Sequence, residues 1–258
     1  LTLLRTYNSD KNWLIFHLKQ LVGRFVFWRV AHTSDHIVVP TEFTKKDLID
    51  FSGIAPGKVT VTYEAADTFI DKVEPYASPY KHFLLYVGQQ PDYKNIRRLG
   101  DAHQKLLEKY PDLGLILAGR LAKDAQANKA YFESKNYRNI HFTGFVSDEQ
   151  RDWLFQNAEA YVFPSLMEGF GLPPLEAMGY GAPVVASRAS CIPEVLGDAA
   201  LYFDPENVDD MAHVIEKVLL DGTLRSRLID RGHAQVAKYS WLRMAEQTHQ
   251  VYLDTLSR

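Results

Sequence analysis

The sequence predicts an α/β fold, a parallel sheet with helices on both faces. Three observations carry that prediction. From His82 onward, short apolar runs alternate with helical patterns, the reading of parallel strands joined by crossover helices. The runs, such as His82-Phe-Leu-Leu-Tyr-Val-Gly88, are those of buried strands. Several of them end on a glycine: Gly88, Gly119 and Gly144. Ligands bind such sheets outside the carboxyl ends of the strands, so these glycines and the turn around Glu168 can face one crevice.

Each element follows in order. Leu1 to Tyr7 has no clear period. Lys11 to His32 is dense in Trp, Phe, Leu and Val with Lys19, Arg24 and Arg29 interspersed, and reads as a helix with Gly23 as the point of any break. It is expected to pack on a sheet with its basic side in water. The second reading is peripheral contact with membrane phosphates, since basic and aromatic mixtures favour that interface. Its charges recur too often for a spanning helix. Asp35 to Val39 is a strand. A helix capped by Thr41 or Thr44 runs to about Phe51 and ends at Gly53 and Pro56-Gly57. Lys58 to Tyr63 alternates as a strand should. Glu74 to Lys81, with Pro75 and Pro79, is the best linker.

Beyond it come the strand at 82–88, a helix at 95–109, a strand at 113–119 and a helix at 125–134. A strand at 140–144 precedes a helix at 147–157, where Ser147 and Gln150 form a capping box. Strands at 160–163, 183–186 and 200–203 follow, with a short helix around Pro193 to Leu196. The chain closes on helices at 208–220, 224–237 and 241–256.

Composition narrows the function classes. The 258 residues carry a formal net charge of −3, so no polyanion partner, and no nucleic acid, is implied. The single Cys191 excludes an intrachain disulfide and a multi-cysteine zinc site, and fits a reducing, cytoplasmic setting. No HExxH pair, signal peptide or uninterrupted transmembrane run is seen. The chain begins at Leu1 rather than methionine, which points to a processed product or a fragment.

The chemistry concentrates in Ser165-Leu-Met-Glu168-Gly-Phe-Gly171-Leu-Pro-Pro-Leu-Glu176-Ala-Met-Gly179. It reads as strand, glycine-bearing turn, helix. Gly169 and Gly171 let the backbone turn tightly and approach a ligand. Pro173 and Pro174 lack an N–H and fit a first helical turn. The N–H groups of Phe170 to Leu172 then face outward at the positive end of a helix, a ready anion site. Repulsion keeps Glu168 and Glu176 from the anion itself, and suits them to hydroxyl groups on either side. An anion flanked by hydroxyls describes a sugar nucleotide.

Glu168-Gly-Phe-Gly-Leu-Pro-Pro-Leu-Glu176-Ala-Met resembles the signature of retaining glycosyltransferases of family 4, within glycosyl transferases group 1. The resemblance implies the two-domain GT-B fold. It gives a complete Rossmann-like donor domain at 75–240, the end of a Rossmann-like acceptor domain at 1–74, and a last helix at 241–258 that crosses back to the acceptor side. It also implies roles. Glu168 contacts the donor sugar, Glu176 the ribose, and the backbone from Gly169 through Phe170 and Gly171 to Leu172 the distal phosphate. Gly88-Gln-Gln-Pro-Asp-Tyr-Lys94-Asn95 resembles the family's glycine-loop-lysine-asparagine motif, in which Lys94 would hold the diphosphate. Glu168 and Lys94 are the expected catalytic pair. Many relatives carry arginine after that glycine. Here it is Gln89, so either Lys94 acts without that partner or a nearby arginine reaches in, Arg120 before Arg97 and Arg98. Phe145 and Val146, after Gly144, would meet the base through the backbone. Ser187 to Glu194 resembles a loop that often lines the pocket, and its Glu194 reads equally as a cap or a contact.

The resemblance implies a hexose, mannose-like or other, moved with retention from a nucleotide-diphosphate sugar to a glycan or lipid-linked acceptor. It implies no cofactor and metal-independent chemistry, because no Asp-X-Asp pair is seen. The acceptor domain's glycine-rich loop, and a His-Asp pair ahead of a segment like Leu1-Thr2, are not in this chain, so a truncated acceptor half is expected. A sugar-nucleotide epimerase of similar fold and a non-catalytic binding fragment are the competing readings.

Overall fold

The computed structural model describes residues 13–67 and 73–257. The Leu1–Tyr7 segment and Lys11, the expected start of the first helix, lie outside the described residues. Six strands form one parallel sheet: β3 (Phe83–Val87), β4 (Gly114–Ala118), β5 (Ile140–Gly144), β6 (Ala160–Phe163), β7 (Val184–Ser187) and β8 (Ala200–Phe203). Their spatial order is β5-β4-β3-β6-β7-β8. Counted from β3, that is the 3-2-1-4-5-6 order of a doubly wound sheet. β1 (Ile37–Val39) and β2 (Val59–Val61) pair in parallel as a separate two-stranded sheet.

Side chains alternate across each strand, so every strand feeds two cores. Phe83, Leu85, Tyr161, Phe163 and Val184 face α5 (Asp148–Asn157), α6 (Leu172–Gly179) and α7 (Ile192–Leu196). Leu84, Tyr86, Leu115, Leu117 and Val162 face α3 (Ile96–Leu106) and α8 (Val208–Leu220). α4 (Lys123–Ser134) and α9 (Gly222–Val236) complete the layers. The capping box at Ser147 and Gln150 is present. Residues 73–82 form no helix or strand. The helix expected from 95 begins at Ile96, because Asn95 is left-handed (φ 61°) and 92–94 form a 3-10 turn.

α1 (Trp13–Thr33) corrects two expectations. It runs unbroken through Gly23, and it meets a sheet only at its end, where Ala31 is buried with Val39 of β1 and Val59 of β2. A mid-helix glycine costs only about 1 kcal/mol against alanine, too little to break the helix here. Only Ala31 is buried, and Trp13, Leu14, Leu18, Leu21 and Phe25 are exposed. The two strands β1 and β2 offer no surface wide enough to cover a helix of this length. It also contacts α2 (Glu42–Ser52), where the Arg24 guanidinium lies 5.2 Å from the Phe51 ring centre. No helix among the described residues is long and apolar enough to cross a membrane. α10 (Trp241–Leu256) is tied at its start by Trp241 Nε1, which donates to Asp67 Oδ1 at 2.9 Å. None of its residues is buried.

Candidate active site

The chain leaves β3 for α3 on one face and leaves β6 for α6 on the other. Their loops therefore part at the carboxyl edge and open a crevice. Gly88 (φ 135°) turns the first loop, its N–H donating to Ala118 O at 2.9 Å. Gly119 (φ 148°) follows β4, and a Cβ there would lie 2.5 Å from Gly88 O. Only glycine permits that approach. Tyr86 Oη donates to Gln89 O at 2.6 Å. Asn95 Nδ2 donates to Pro164 O at 3.1 Å and to Pro205 O at 2.8 Å, and Leu166 N donates to Tyr93 O at 2.8 Å.

These bonds bring Lys94 to the exit of β6. Its Nζ lies 2.6 Å from Glu168 Oε1, with the two side chains 15% and 12% exposed. The ammonium also stands 5.2 Å from the Phe163 ring centre and 5.4 Å from that of Tyr93. A shielded, doubly faced cation of this kind is strongly held.

The Glu168 loop is backed by α7 and α2. Glu168 N donates to Ser190 Oγ at 3.0 Å. Cys191 Sγ donates to Phe170 O at 3.3 Å, and burial pushes the thiol up to about 12, so it keeps its proton. Gly169 O faces the hydroxyls of Thr41 and Thr44 at 2.9 and 3.2 Å. Gly171 (φ 95°) opens α6, with Pro173 and Pro174 in its first turn. Among the described residues, the N–H groups of Phe170, Gly171 and Leu172 have no hydrogen-bond partner.

Glu176 sits one turn into α6 and accepts no hydrogen bond from the described residues. Burial holds its carboxyl above the ordinary value; Arg151 opposes that shift, and Asp152, Asp67 and Asp148 add to it. Arg151 is itself engaged by Asp152 and Asp148, each at 2.8 Å. Glu176 is thus a half-buried acceptor with its oxygens uncommitted, suited to hydroxyl donors.

The remaining expected residues lie around this centre. Gln89 is exposed. Arg120 is exposed, with its guanidinium 5.9 Å from the ring centre of Phe145, which is 75% exposed. Val146 is half-buried beside it. Arg97 donates to Asn128 Oδ1 at 3.1 Å and lies 5.1 Å from the Tyr131 ring centre, while Arg98 donates to Asn95 Oδ1 at 3.0 Å. Arg97 therefore serves the α3–α4 side, and Arg98 braces Asn95. Glu194 is a cap. Its Oε1 accepts from Glu42 N at 2.7 Å and from Tyr63 Oη at 2.9 Å, and its Oε2 from Phe43 N at 2.9 Å. It places a carboxylate on the positive end of α2. Sequence reasoning placed Ser190 in a pocket-lining loop but missed its bond to Glu168 N and the second role of Thr41, because neither contact is set by a local motif.

A doubly wound sheet with a lysine–carboxylate pair and unpaired helix-start N–H groups at its switch point defines an α/β protein with a polar crevice whose chemistry suits an anion-bearing ligand. The chain belongs to the glycosyl transferases group 1, whose family profile matches residues 69–235. It is 33% identical over 227 residues to the O-antigen chain mannosyltransferase B of Escherichia coli, covering 84% of this chain and 60% of that one. It is 29% identical over 251 residues to the serotype-specific mannosyltransferase WbdA of Escherichia coli, covering 93% of this chain and 30% of that one. The chain thus spans less than two thirds of either relative. Among solved structures it is similar to Anabaena Alr3699/HepE in complex with UDP-glucose, with a TM-score of 0.77 and 17% identity, covering 90% of this chain and 68% of that one. The fold is of the GT-B type.

Proposed function

We propose that the whole protein moves a mannose-like hexose from a nucleotide-diphosphate sugar to a glycan or lipid-linked acceptor, with retention of configuration. The observation that carries the reading is the Lys94–Glu168 pair at the switch point, beside the unpaired N–H groups of Phe170 to Leu172. The bond to break joins the anomeric carbon to a phosphate oxygen, and the departing diphosphate gains negative charge. Lys94 and the start of α6 supply positive charge there, already oriented before the reaction. Glu168 accepts from sugar hydroxyls and at the same time fixes the lysine. Glu176 accepts from the ribose. Gly88, Gln89, Arg120 and Val146 line the approach to the diphosphate and base.

Residues 75–240 form the donor unit in this reading, 1–74 belong to the acceptor unit, and 241–258 lead back towards it. The names of the two Escherichia coli relatives favour mannose as the sugar. The test is a panel of GDP-mannose, GDP-glucose, UDP-glucose and UDP-N-acetylglucosamine with the whole protein, followed by proton NMR of the product's anomeric signal. Transfer with the donor's configuration is expected. Free nucleotide released at full rate without acceptor, the mark of an epimerase, would refute the proposal.

A further inference from the structure

The Glu168 loop presents two successive peptide units, Gly169–Phe170 and Phe170–Gly171. Their carbonyls are both gripped from behind. Gly169 O faces the Thr41 and Thr44 hydroxyls at 2.9 and 3.2 Å, and Phe170 O accepts from Cys191 Sγ at 3.3 Å. No described peptide bond is cis. In a trans unit the carbonyl and the following N–H point in opposite directions. Holding Gly169 O towards α2 therefore turns the Phe170 N–H away from α2. Holding Phe170 O towards Cys191 does the same for the Gly171 N–H. These are two of the N–H groups that find no partner among the described residues.

Glycine on both sides of Phe170 makes the grip necessary. Gly169 is exposed and nothing lies within 4 Å of the place of its Cβ. Left alone, a Gly-Phe-Gly turn has several peptide orientations of similar energy. Thr41 is itself held: its Oγ1 accepts from Thr44 N at 3.1 Å, and the same helix start is clamped by Glu194.

We infer that Thr41 and Thr44 are positioning residues, which lock the Gly169–Phe170 peptide so that its N–H meets the distal phosphate of the donor. Cys191 does the same for the next peptide. The inference rests on the donor-site reading above. It adds that the phosphate-binding loop is set by a helix from outside the six-stranded sheet, about 125 residues away in sequence. Without α2 docked, the loop N–H groups would not converge.

The test separates the two claims. Binding of GDP, GMP, UDP and UMP to the protein is measured by calorimetry for wild type, for the Thr41→Val/Thr44→Val double variant and for the Thr41→Ser/Thr44→Ser rescue. A fold defect lowers affinity for mono- and diphosphate alike, whereas a loosened peptide lowers only the diphosphate's. Hydrogen bonds to charged groups are worth about tenfold or more, so the valine variant should lose roughly tenfold of its diphosphate-over-monophosphate preference. The serine variant should regain it. A valine variant that keeps the wild-type preference overturns the clamp while leaving the donor site standing. A wild type with no preference for diphosphate sinks both. Should the double variant fail to fold, Cys191→Ala, which frees the Phe170 carbonyl and leaves the Thr41 cap in place, carries the same comparison for the second peptide.

Discussion

Replacing Lys94 by methionine is the most direct trial of the site. The change keeps most of the stem and removes the ammonium. Glu168, 12% exposed, would lose a partner at 2.6 Å and stay shielded from water. Breaking a buried pair from one side costs about 3–5 kcal/mol. The site is open at its mouth, so about 3 kcal/mol is the expected loss. For a chain of this size that is a fall in Tm of roughly 6–12 °C. Adding Glu168→Leu should recover most of it, because the stranded charge is then gone. The assay is scanning calorimetry on wild type, both single variants and the double variant. A coupling energy below about 0.5 kcal/mol would mean the pair is loose and screened, and the reasoning from its burial would be wrong. Diphosphate affinity gives a second reading: it should drop at least tenfold in Lys94→Met and should not return in the double variant.

Three further outcomes follow from the geometry. Gly119→Ala would drive a Cβ to 2.5 Å from Gly88 O at φ 148°, whereas the space around Gly144 (φ 71°) is empty. Gly119→Ala should therefore cost about 2–3 kcal/mol in urea unfolding and weaken diphosphate binding, while Gly144→Ala costs about 1 kcal/mol; equal losses would refute the close approach. Glu176 has a carboxyl raised by burial above 4.5, so its charge costs stability at pH values above the folded value, and the cost vanishes as pH falls through 4.5. Glu176→Gln should thus unfold later than wild type at pH 7, show no difference near pH 4, and bind nucleotide less well, as curves of Tm against pH and calorimetry can check. Limited proteolysis should cut first before Glu74, within the exposed α1, while the six-stranded sheet survives; uniform protection would contradict the exposure of Trp13 to Phe25.

Much of this was legible in the sequence. β3, β4, β6 and β7 are strands with few polar interruptions because both faces are covered, and the glycines at the ends of β3, β4 and β5 announced the carboxyl edge. Ser147 and Gln150 marked a helix start through side chains only three residues apart. The Glu168 turn was legible because glycines and prolines constrain the backbone locally. What stayed hidden depends on distant partners. Glu194 could not be told from a ligand contact, since the helix it caps starts 152 residues earlier. Thr41 read as a cap and is one, but its grip on Gly169 spans 128 residues. α1 misled because an apolar helix implies a covering surface, and the sequence pattern does not say where that surface lies.

Asn95 has a consequence of its own. Its one amide group donates to Pro164, at the exit of β6, and to Pro205, beyond β8. The lips of the crevice belong to loops that diverge to opposite faces, and this side chain sutures them at the root. The floor of the cleft is thereby one rigid piece, with Lys94 set by the residue next to it. Opening the cleft would then move α2, which touches the Glu168 loop through Thr41 and Thr44, sooner than part the strands beneath it.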